Sequence, residues 1–201
     1  MIALVDYGMG NLRSVEKALQ KVGGNVQIVR TPEELKRSDR LVLPGVGAFG
    51  DCMRNLAEQH LIEPLKTFIQ SGKPFLGICL GYQALFESSE EAGGVQGLGI
   101  FRGKVVRFPN GTLKVPQIGW NRIRIAKTTC PLLQGVPDGS HVYFVHSYFP
   151  EPEDSTIVCT QTDYSTSFVS MIWSKNLFAC QFHPEKSQSV GLKILENFVR
   201  L

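Results

Sequence analysis

The sequence predicts an α/β protein with a doubly wound, mostly parallel central sheet and additional antiparallel strands in its second half. Two observations support this fold class. In the first half, short apolar runs alternate with amphipathic helical segments across short turns, which is typical of parallel strands joined by helices. In the second half, strand-like runs follow one another without a long helix until the C-terminal segment.

The first half contains predicted strands that are apolar runs too short for a core helix: residues 2–7, 26–29, 40–43 and 74–78. Helices are predicted between and after them: residues 12–22, a short helix from residue 32, two segments within residues 51–71 that break near residues 59–60, and residues 80–87. The first helix has apolar side chains on one face, and Gly23 and Gly24 end it. Thr31, Pro32 and Glu34 have the capping-box pattern that begins the second.

The second half contains further predicted strands: residues 104–108, 121–125, 141–149, 156–162, 168–173 and 177–182. Residues 174–176 are predicted to form a hairpin loop, and an amphipathic helix is predicted after Ser187. The antiparallel strands therefore either extend the parallel sheet or flank it. No repeat, linker or low-complexity tract divides the chain, so residues 1–201 are predicted to form a single domain.

Composition and cysteine usage restrict the class of protein. The 201 residues are 43% hydrophobic, and the net charge of +3 is too small to indicate nucleic acid or a charged membrane surface as a partner. The five cysteines lack C-x-x-C spacing, which favours reduced thiols over a disulfide framework or a zinc ribbon. No stretch resembles a signal peptide, a membrane span or a nucleotide-binding fingerprint. We therefore expect a soluble, cytoplasmic protein with no metal and no cofactor.

Cys79 lies where a predicted strand turns into a predicted helix. The pattern from Gly77 to Gly81 is G-x-C-x-G, the thiol counterpart of the G-x-S-x-G nucleophile elbow. Glycine is needed on both sides because a sharp turn brings a neighbouring Cβ into collision with the backbone. A helix N-terminus favours a thiolate over a thiol and offers N–H groups to an oxyanion. The pattern is equally compatible with a buried structural cysteine between two packing glycines.

His183 is the histidine best placed to act as a base for this cysteine. It ends a predicted strand, and Pro184 fixes the backbone so that His183 and Glu185 leave on roughly the same side. Glu185 can then hold one imidazole nitrogen while the other faces a thiol, which predicts a Cys79–His183–Glu185 triad. Taken alone, H-P-E is more often a turn with a solvated charge. Of the other histidines, His60 and His141 are predicted at the surface, and His146 is predicted either in the core or in a pocket.

Two stretches resemble the signatures of the class I glutamine amidotransferases: GICLGYQ at residues 77–83 and QFHPEKS at residues 181–187. Four more narrow the resemblance to the glutaminase subunits of imidazole glycerol phosphate synthases, in histidine biosynthesis: residues 5–15, 44–50, 116–121 and 143–148. The PGVG loop at residues 44–47 discriminates these subunits from other members of the class, which more often carry a GG-containing loop. The resemblance covers nearly the whole chain and implies a class I glutamine amidotransferase-like sandwich.

By this resemblance Cys79 is the nucleophile, His183 the general base and acid, and Glu185 the residue that orients His183. Glutamine is then hydrolysed through a γ-glutamyl thioester, and ammonia and glutamate are released. The resemblance assigns the oxyanion donors to the backbone of Leu80 and of a loop: Gly45, Val46 and Gly47. It assigns glutamine binding to Gln83, Glu91, Ser147, Tyr148 and Gly45. Without the resemblance, Gln83 is a solvent-facing helix residue and Glu91 a loop charge.

The resemblance also implies a heterodimer with a (β/α)8-barrel cyclase subunit. That partner uses the ammonia to close an imidazole ring and releases an aminoimidazole carboxamide ribotide. Residues matching the family's contacts with this partner are Asn11, Trp120, Tyr143 and Lys186. Ordinary core packing for Trp120 and a solvated charge for Lys186 are the simpler interpretations.

Three other hypotheses remain open from the sequence. In the first, the chain is the glutaminase of another synthase, such as that of pyridoxal phosphate. In the second, it is a cysteine peptidase or stress protein on a similar sandwich. In the third, it is a binding module without catalysis, in which Cys79 has no chemical role.

Overall fold

A mixed β-sheet lies at the centre of the structure, a computed structural model that describes residues 1–111 and 113–201. The described residues form the strands β1 (Ile2–Val5), β2 (Val26–Val29), β3 (Arg40–Leu43), β4 (Phe75–Ile78), β5 (Ser88–Ser89), β6 (Gly103–Arg107), β7 (Gln117–Arg122), β8 (Arg124–Ile125), β9 (His141–His146), β10 (Tyr148–Pro152), β11 (Val158–Asp163), β12 (Ser167–Ser174) and β13 (Leu177–Cys180). The helices are α1 (Leu12–Lys21), α2 (Pro32–Lys36), α3 (Phe49–Glu58), α4 (Ile62–Gln70), α5 (Leu80–Gln83) and α6 (Gln188–Arg200). Short 3₁₀ turns lie at Pro131–Leu133, Ser155–Ile157 and Pro184–Lys186.

The largest sheet among the described residues has eight strands in the order β2-β1-β3-β4-β13-β12-β11-β8. Its strands run parallel from β2 to β13, and antiparallel pairs then add β12, β11 and β8. Two smaller sheets, β10-β6-β5 and the ribbon β7-β9, are separate from it. The predicted fold class is confirmed, and the antiparallel strands both extend the large sheet and form sheets of their own.

Helices cover both faces of the large sheet. Alternate side chains of β1 point to opposite faces, so Ile2 and Leu4 pack with α1 and α6, whereas Ala3 and Val5 pack with α2, α3 and α4. The order of the strands reverses at β1, and ligands of such sheets bind beyond the carboxyl ends of the strands near the reversal. The segments after β1, β3, β4 and β13 all leave from that edge, which brings the predicted site residues together.

Several predicted element boundaries are wrong, because tertiary hydrogen bonds override the local pattern. The helix predicted for residues 80–87 ends at Gln83, since the carbonyls of Ala84 and Leu85 accept from Leu98 and Ile100 of a later loop. The strand predicted for residues 141–149 is two strands, because the chain leaves its pairing with β7 at Ser147 and pairs next with β6. The strand predicted for residues 121–125 likewise begins earlier and is interrupted at Ile123, and the one at 156–162 begins with a 3₁₀ turn. In the described residues, none of the helices has the length and apolar character needed to cross a membrane.

Candidate active site

Cys79 lies on a strained turn between β4 and α5. Its backbone has φ +54° and ψ −106°, a conformation that a residue with a side chain rarely adopts. A Cβ on Gly77 would lie 2.9 Å from the carbonyl oxygen of Gly81, and a Cβ on Gly81 would overlap the backbone of Leu43 in β3. Both glycines of the motif are therefore sterically required. The sequence predicted a longer helix, whose N-terminus would favour a thiolate at Cys79. Because α5 has only four residues, it has no extended helix dipole, and only its local N–H groups can stabilise a negative charge there.

The substitution Gly81→Ala is expected to lower the free energy of unfolding by about 3 kcal/mol, because the new methyl group would overlap the backbone carbonyl of Leu43 in β3. Urea unfolding followed by circular dichroism measures this loss. Gly93→Ala is the matched control, since no heavy atom lies within 4 Å of a Cβ at that exposed position. Equal stability of the two variants would contradict the close packing of the turn.

His183 and Glu185 form a buried pair at the end of β13, the strand next to β4. His183 Nδ1 lies 2.8 Å from Glu185 Oε1, and their side chains are 2% and 1% exposed. The imidazole Nε2 is buried and has no hydrogen-bond partner among the described residues. Burial lowers the pKa of His183, but electrostatic attraction and hydrogen bonding from Cys79 and Glu185 outweigh burial and raise it to about 10. The structure thus brings the predicted triad together, with Glu185 holding one imidazole nitrogen and Cys79 close enough to act on the ring.

A cavity of about 180 Å³ adjoins the sulfur. Its walls contain Cys79 and most of the residues predicted to bind glutamine or the oxyanion: Gly47, Leu80, Gln83, Glu91, Ser147 and Tyr148. Pro116 and His146 complete the lining. Gly45 and Val46 do not line it. Such a cavity suits a ligand of amino-acid size better than a polymer. No group of side chains in the described part of the chain is arranged to hold a metal ion.

One of the predicted oxyanion donors, the Leu80 N–H, is not free in this conformation. The Leu80 N–H instead donates to the carbonyl oxygen of Gly45 at 3.4 Å, and the Tyr7 hydroxyl donates to the carbonyl of Pro44 at 2.8 Å. A Cβ on Gly45 would lie 2.5 Å from the Tyr7 hydroxyl and 2.7 Å from the Cβ of Leu80. The loop after β3 is therefore packed tightly onto the turn of Cys79, and the Gly45 carbonyl occupies the N–H group that an oxyanion needs.

Gln83 is buried rather than facing solvent, and its amide orientation is fixed by its neighbours. Its Nε2 donates to the carbonyl oxygen of Tyr148 at 3.0 Å and to Oε1 of Gln181 at 3.2 Å. These two bonds use both amide hydrogens, which leaves Oε1 as the acceptor available to a ligand. Glu91 lines the cavity, but its Oε2 also accepts from the Phe49 N–H at 2.8 Å, at the start of α3. Glu91 therefore has a structural role in addition to the predicted one.

His146, which the sequence left as either a core or a pocket residue, is both. It is buried, it lines the cavity, and its Nδ1 donates to the Tyr148 carbonyl at 2.8 Å, while the side-chain amide of Gln117 lies 3.0 Å from Nε2. Burial and the charge of His183 lower the pKa of His146 to about 4. The ring is therefore neutral at pH 7.

Acidification is expected to destabilise the protein through His146. Between about pH 6.5 and pH 4 an unfolded histidine binds a proton that the native ring does not, so the free energy of unfolding falls by about 3 kcal/mol as the pH decreases. Urea unfolding at pH 7 and pH 4 measures this loss, and His146→Gln should lose about 3 kcal/mol less than the unchanged chain. An identical pH dependence of both proteins would show that His146 titrates normally in the native state.

Three of the four predicted interface residues lie close together. The rings of Trp120 and Tyr143 meet edge to face with centroids 6.1 Å apart, and Lys186 Nζ lies 5.6 Å from the centroid of Tyr143. Trp120 is 47% exposed. Ile118, an apolar neighbour in the same strand that the sequence analysis did not single out, is 64% exposed. Asn11 instead caps α1 by accepting from the Ser14 N–H. The ribbon β7-β9 thus presents an apolar surface that includes Trp120.

Sequence reasoning missed Gln181, which lies beside the sulfur. Its side chain is fully buried, and Nε2 lies 3.5 Å from Cys79 Sγ. The signal for this was available, because Gln181 precedes His183 by two positions in an apolar strand, and alternation puts both side chains on one side of the chain.

A cysteine beside an imidazole that a carboxylate orients, next to a small cavity, is the arrangement of a thiol-dependent hydrolase or transferase, and comparison with known proteins identifies the family. Residues 3–201 match the family Glutamine amidotransferase class-I, and the chain belongs to this family. Solved structures support the fold: one titled "glutamine amidotransferase" has a TM-score of 0.78 at 17% identity, covering 100% of both chains, and PurLQS from Thermotoga maritima has 0.76 at 18% identity, covering 99% of this chain and 97% of that one.

Within the family, the chain is similar to proteins named imidazole glycerol phosphate synthase subunit HisH. It is 52% identical to the one from Syntrophotalea carbinolica, over 98% of each chain, and 54% identical to the one from Aquifex aeolicus, over 98% of this chain and 95% of that protein. The family, fold and enzyme class predicted from the sequence motifs are confirmed.

Proposed function

We propose that this chain hydrolyses the side-chain amide of glutamine and passes the ammonia to the cyclase subunit of imidazole glycerol phosphate synthase, in histidine biosynthesis. The observation that carries the chemistry is the position of His183: its Nδ1 is held by Glu185 at 2.8 Å, and its buried Nε2 has no hydrogen-bond partner among the described residues, which leaves it available to the neighbouring Cys79 and to the substrate. The similarity to the HisH subunits supports the choice of synthase.

The triad supplies each proton transfer that the reaction needs. The Cys79 thiolate attacks the amide carbon of glutamine, and the carbonyl oxygen becomes an oxyanion. The His183 imidazolium then protonates the departing nitrogen, which leaves as ammonia, and a γ-glutamyl thioester remains on the sulfur. Neutral His183 next takes a proton from water, which attacks the thioester and releases glutamate. Glu185 keeps its charge throughout and holds the ring in one tautomer.

Glutamine binds in the cavity beside the sulfur. The free Oε1 of Gln83 accepts a hydrogen bond from the α-ammonium group, while Glu91, Ser147 and Tyr148 form the remaining walls of the site. Gly45, which does not line the cavity in this conformation, contacts the substrate once the loop after β3 has rearranged. Because both N–H groups of Gln83 are already engaged, this side chain favours a cationic group over a carboxylate at its position.

The oxyanion hole requires a change of the loop after β3. The Gly45 carbonyl must turn away from the Leu80 N–H, and the Val46–Gly47 peptide must then direct its own N–H to the oxyanion. Gly45 and Gly47 make such a rotation sterically accessible. The chain is therefore at rest in a conformation with low activity, and docking of the partner supplies the energy of the rearrangement.

The partner is a (β/α)8-barrel cyclase subunit that docks on the surface around Trp120, Tyr143 and Lys186, with Asn11 at its margin, and forms a heterodimer. The exposed aromatic and lysine side chains there are of the kind that anchor protein interfaces. All five cysteines are free thiols in the structure, which supports a reducing compartment and hence the cytoplasm as the site of action.

Growth of a histidine auxotroph that lacks this glutaminase subunit tests the proposal. We expect the chain, expressed with its own cyclase subunit, to restore growth without histidine in medium low in ammonium, where free ammonia cannot replace glutamine. Failure to restore growth, together with rescue of a strain deficient in pyridoxal phosphate synthesis, would assign the chain to the other synthase. Growth rescue of neither strain by a soluble, folded chain would overturn the proposal.

A further inference from the structure

Gln181 is the only described side chain other than the histidine of the triad that directs a polar atom at the nucleophile. Its Nε2 lies 3.5 Å from Cys79 Sγ, a hydrogen-bonding distance for sulfur, and the side chain is fully buried in the segment between β13 and His183. Gln181 itself does not line the cavity and reaches the substrate site only through its hydrogen bond with Gln83.

The direction of this hydrogen bond follows from a chain of amides that begins at a backbone carbonyl. The carbonyl of Tyr148 can only accept, so the amide of Gln83 must present Nε2 to it. The same Nε2 then donates to Oε1 of Gln181. With its oxygen used in this way, Gln181 must present N–H to the sulfur. The side chain of Gln181 cannot reverse without leaving two donors, its own Nε2 and that of Gln83, facing each other in a buried site.

We propose that Gln181 stabilises the Cys79 thiolate by donating an N–H to its sulfur, and that Gln83 positions Gln181 for this task. An N–H donor favours the charged form of the sulfur and restricts the thiolate to the rotamer that faces His183 and the cavity. The bond is strongest when the sulfur is fully charged, before attack and after deacylation. Through Gln83, the wall of the glutamine site is connected to the nucleophile by two hydrogen bonds.

Alkylation of Cys79 by iodoacetamide as a function of pH tests the proposal, because the thiolate is the reacting form. Cys79 is 6% exposed and every other cysteine 1% or less, and mass spectrometry assigns the modified residue. Gln181→Met keeps the length of the side chain and removes the donor. We expect the midpoint of the alkylation rate to move upward by about one to two pH units in this variant. Gln181→Glu, which replaces the donor by a carboxylate, should move it further.

Turnover provides a second readout, and this part of the test rests on the proposed function. In complex with the cyclase subunit, Gln181→Met should reduce kcat about ten- to a hundredfold and leave KM within about twofold, because Gln181 does not line the cavity. Alkylation needs no glutamine turnover. A chain without glutaminase activity but with the shifted midpoint would therefore disprove the proposed function and support the role of Gln181.

Ser170→Ala is the matched control, since Ser170 is a buried polar residue of the adjacent strand β12 that bonds Thr160 and Thr162 and not the sulfur. Its alkylation midpoint should equal that of the unchanged chain. If Gln181→Met unfolds, Gln181→Glu decides the question by the same measurement. A midpoint in the folded Gln181 variants equal to that of Ser170→Ala would overturn the proposal.

Discussion

Replacing Cys79 by alanine is expected to reduce glutamate release from glutamine by roughly 10⁴-fold or more, the scale on which loss of a nucleophile disables a catalytic triad. No other side chain near the cavity offers a thiol or a hydroxyl paired to a histidine, within the part of the chain that the structure describes. Binding of glutamine should persist, because its predicted contacts belong to other residues. Glutamate release by the complex, measured with an enzyme-coupled assay, records the loss.

The control for this prediction is Cys159→Ala, which removes a buried thiol that lies in β11 and not at the triad. Its activity should match that of the unchanged chain. The Cys79→Ala complex should also still form imidazole product when ammonium is supplied in place of glutamine, which shows that the partner remains competent. Residual glutaminase activity within tenfold of the unchanged complex would contradict the assignment of the nucleophile.

Binding of the cyclase subunit is expected to raise the glutaminase activity of the chain about 10²- to 10³-fold. This is the effect of supplying one oxyanion donor, and in the isolated chain the Leu80 N–H is occupied by the Gly45 carbonyl. The increase should appear mainly in kcat, because the oxyanion exists only in the transition state and the adjoining intermediate. Steady-state glutamate release with and without the partner, and with the ligand of the partner present, measures it.

Equal kcat values for the isolated chain and the complex would contradict the inhibitory role of the Gly45 carbonyl. Such a result would leave the triad unaffected, because the pairing of His183 with Glu185 does not depend on this loop. A Trp120→Ala complex offers a further comparison: removal of a 47% exposed ring should weaken docking and require more partner for the same increase.

The features that could be predicted from the sequence are those that depend on residues close together in the chain. The parallel half of the sheet follows from apolar runs and caps, and the break between α3 and α4 appears where it was predicted, with His60 at φ +55°. The turn of Cys79 follows from its two glycines, and the pairing of His183 with Glu185 follows from the proline between them. These features need no knowledge of distant segments.

The rest depends on contacts between distant parts of the chain. The early end of α5 is imposed by a loop around Leu98, and the division of β9 from β10 by a change of partner strand. The hydrogen bond from Leu80 to Gly45 and the amide chain through Gln181 likewise join segments that are far apart in sequence. No local pattern encodes these distances, which is why the closed oxyanion loop and the amide chain from Gln83 through Gln181 emerged only from the structure, although strand alternation alone puts Gln181 on the same side of the chain as His183.

Covalent labelling with a glutamine-mimicking electrophile tests the central claim most directly, namely that the sulfur of Cys79 attacks the side-chain amide. The chain is incubated with the reagent in the presence of the cyclase subunit, with and without excess glutamine, and the modified peptide is mapped by mass spectrometry. The account predicts one label on Cys79, slowed by glutamine and dependent on His183. A label on another residue, or labelling of Cys79 that glutamine does not slow, would contradict it.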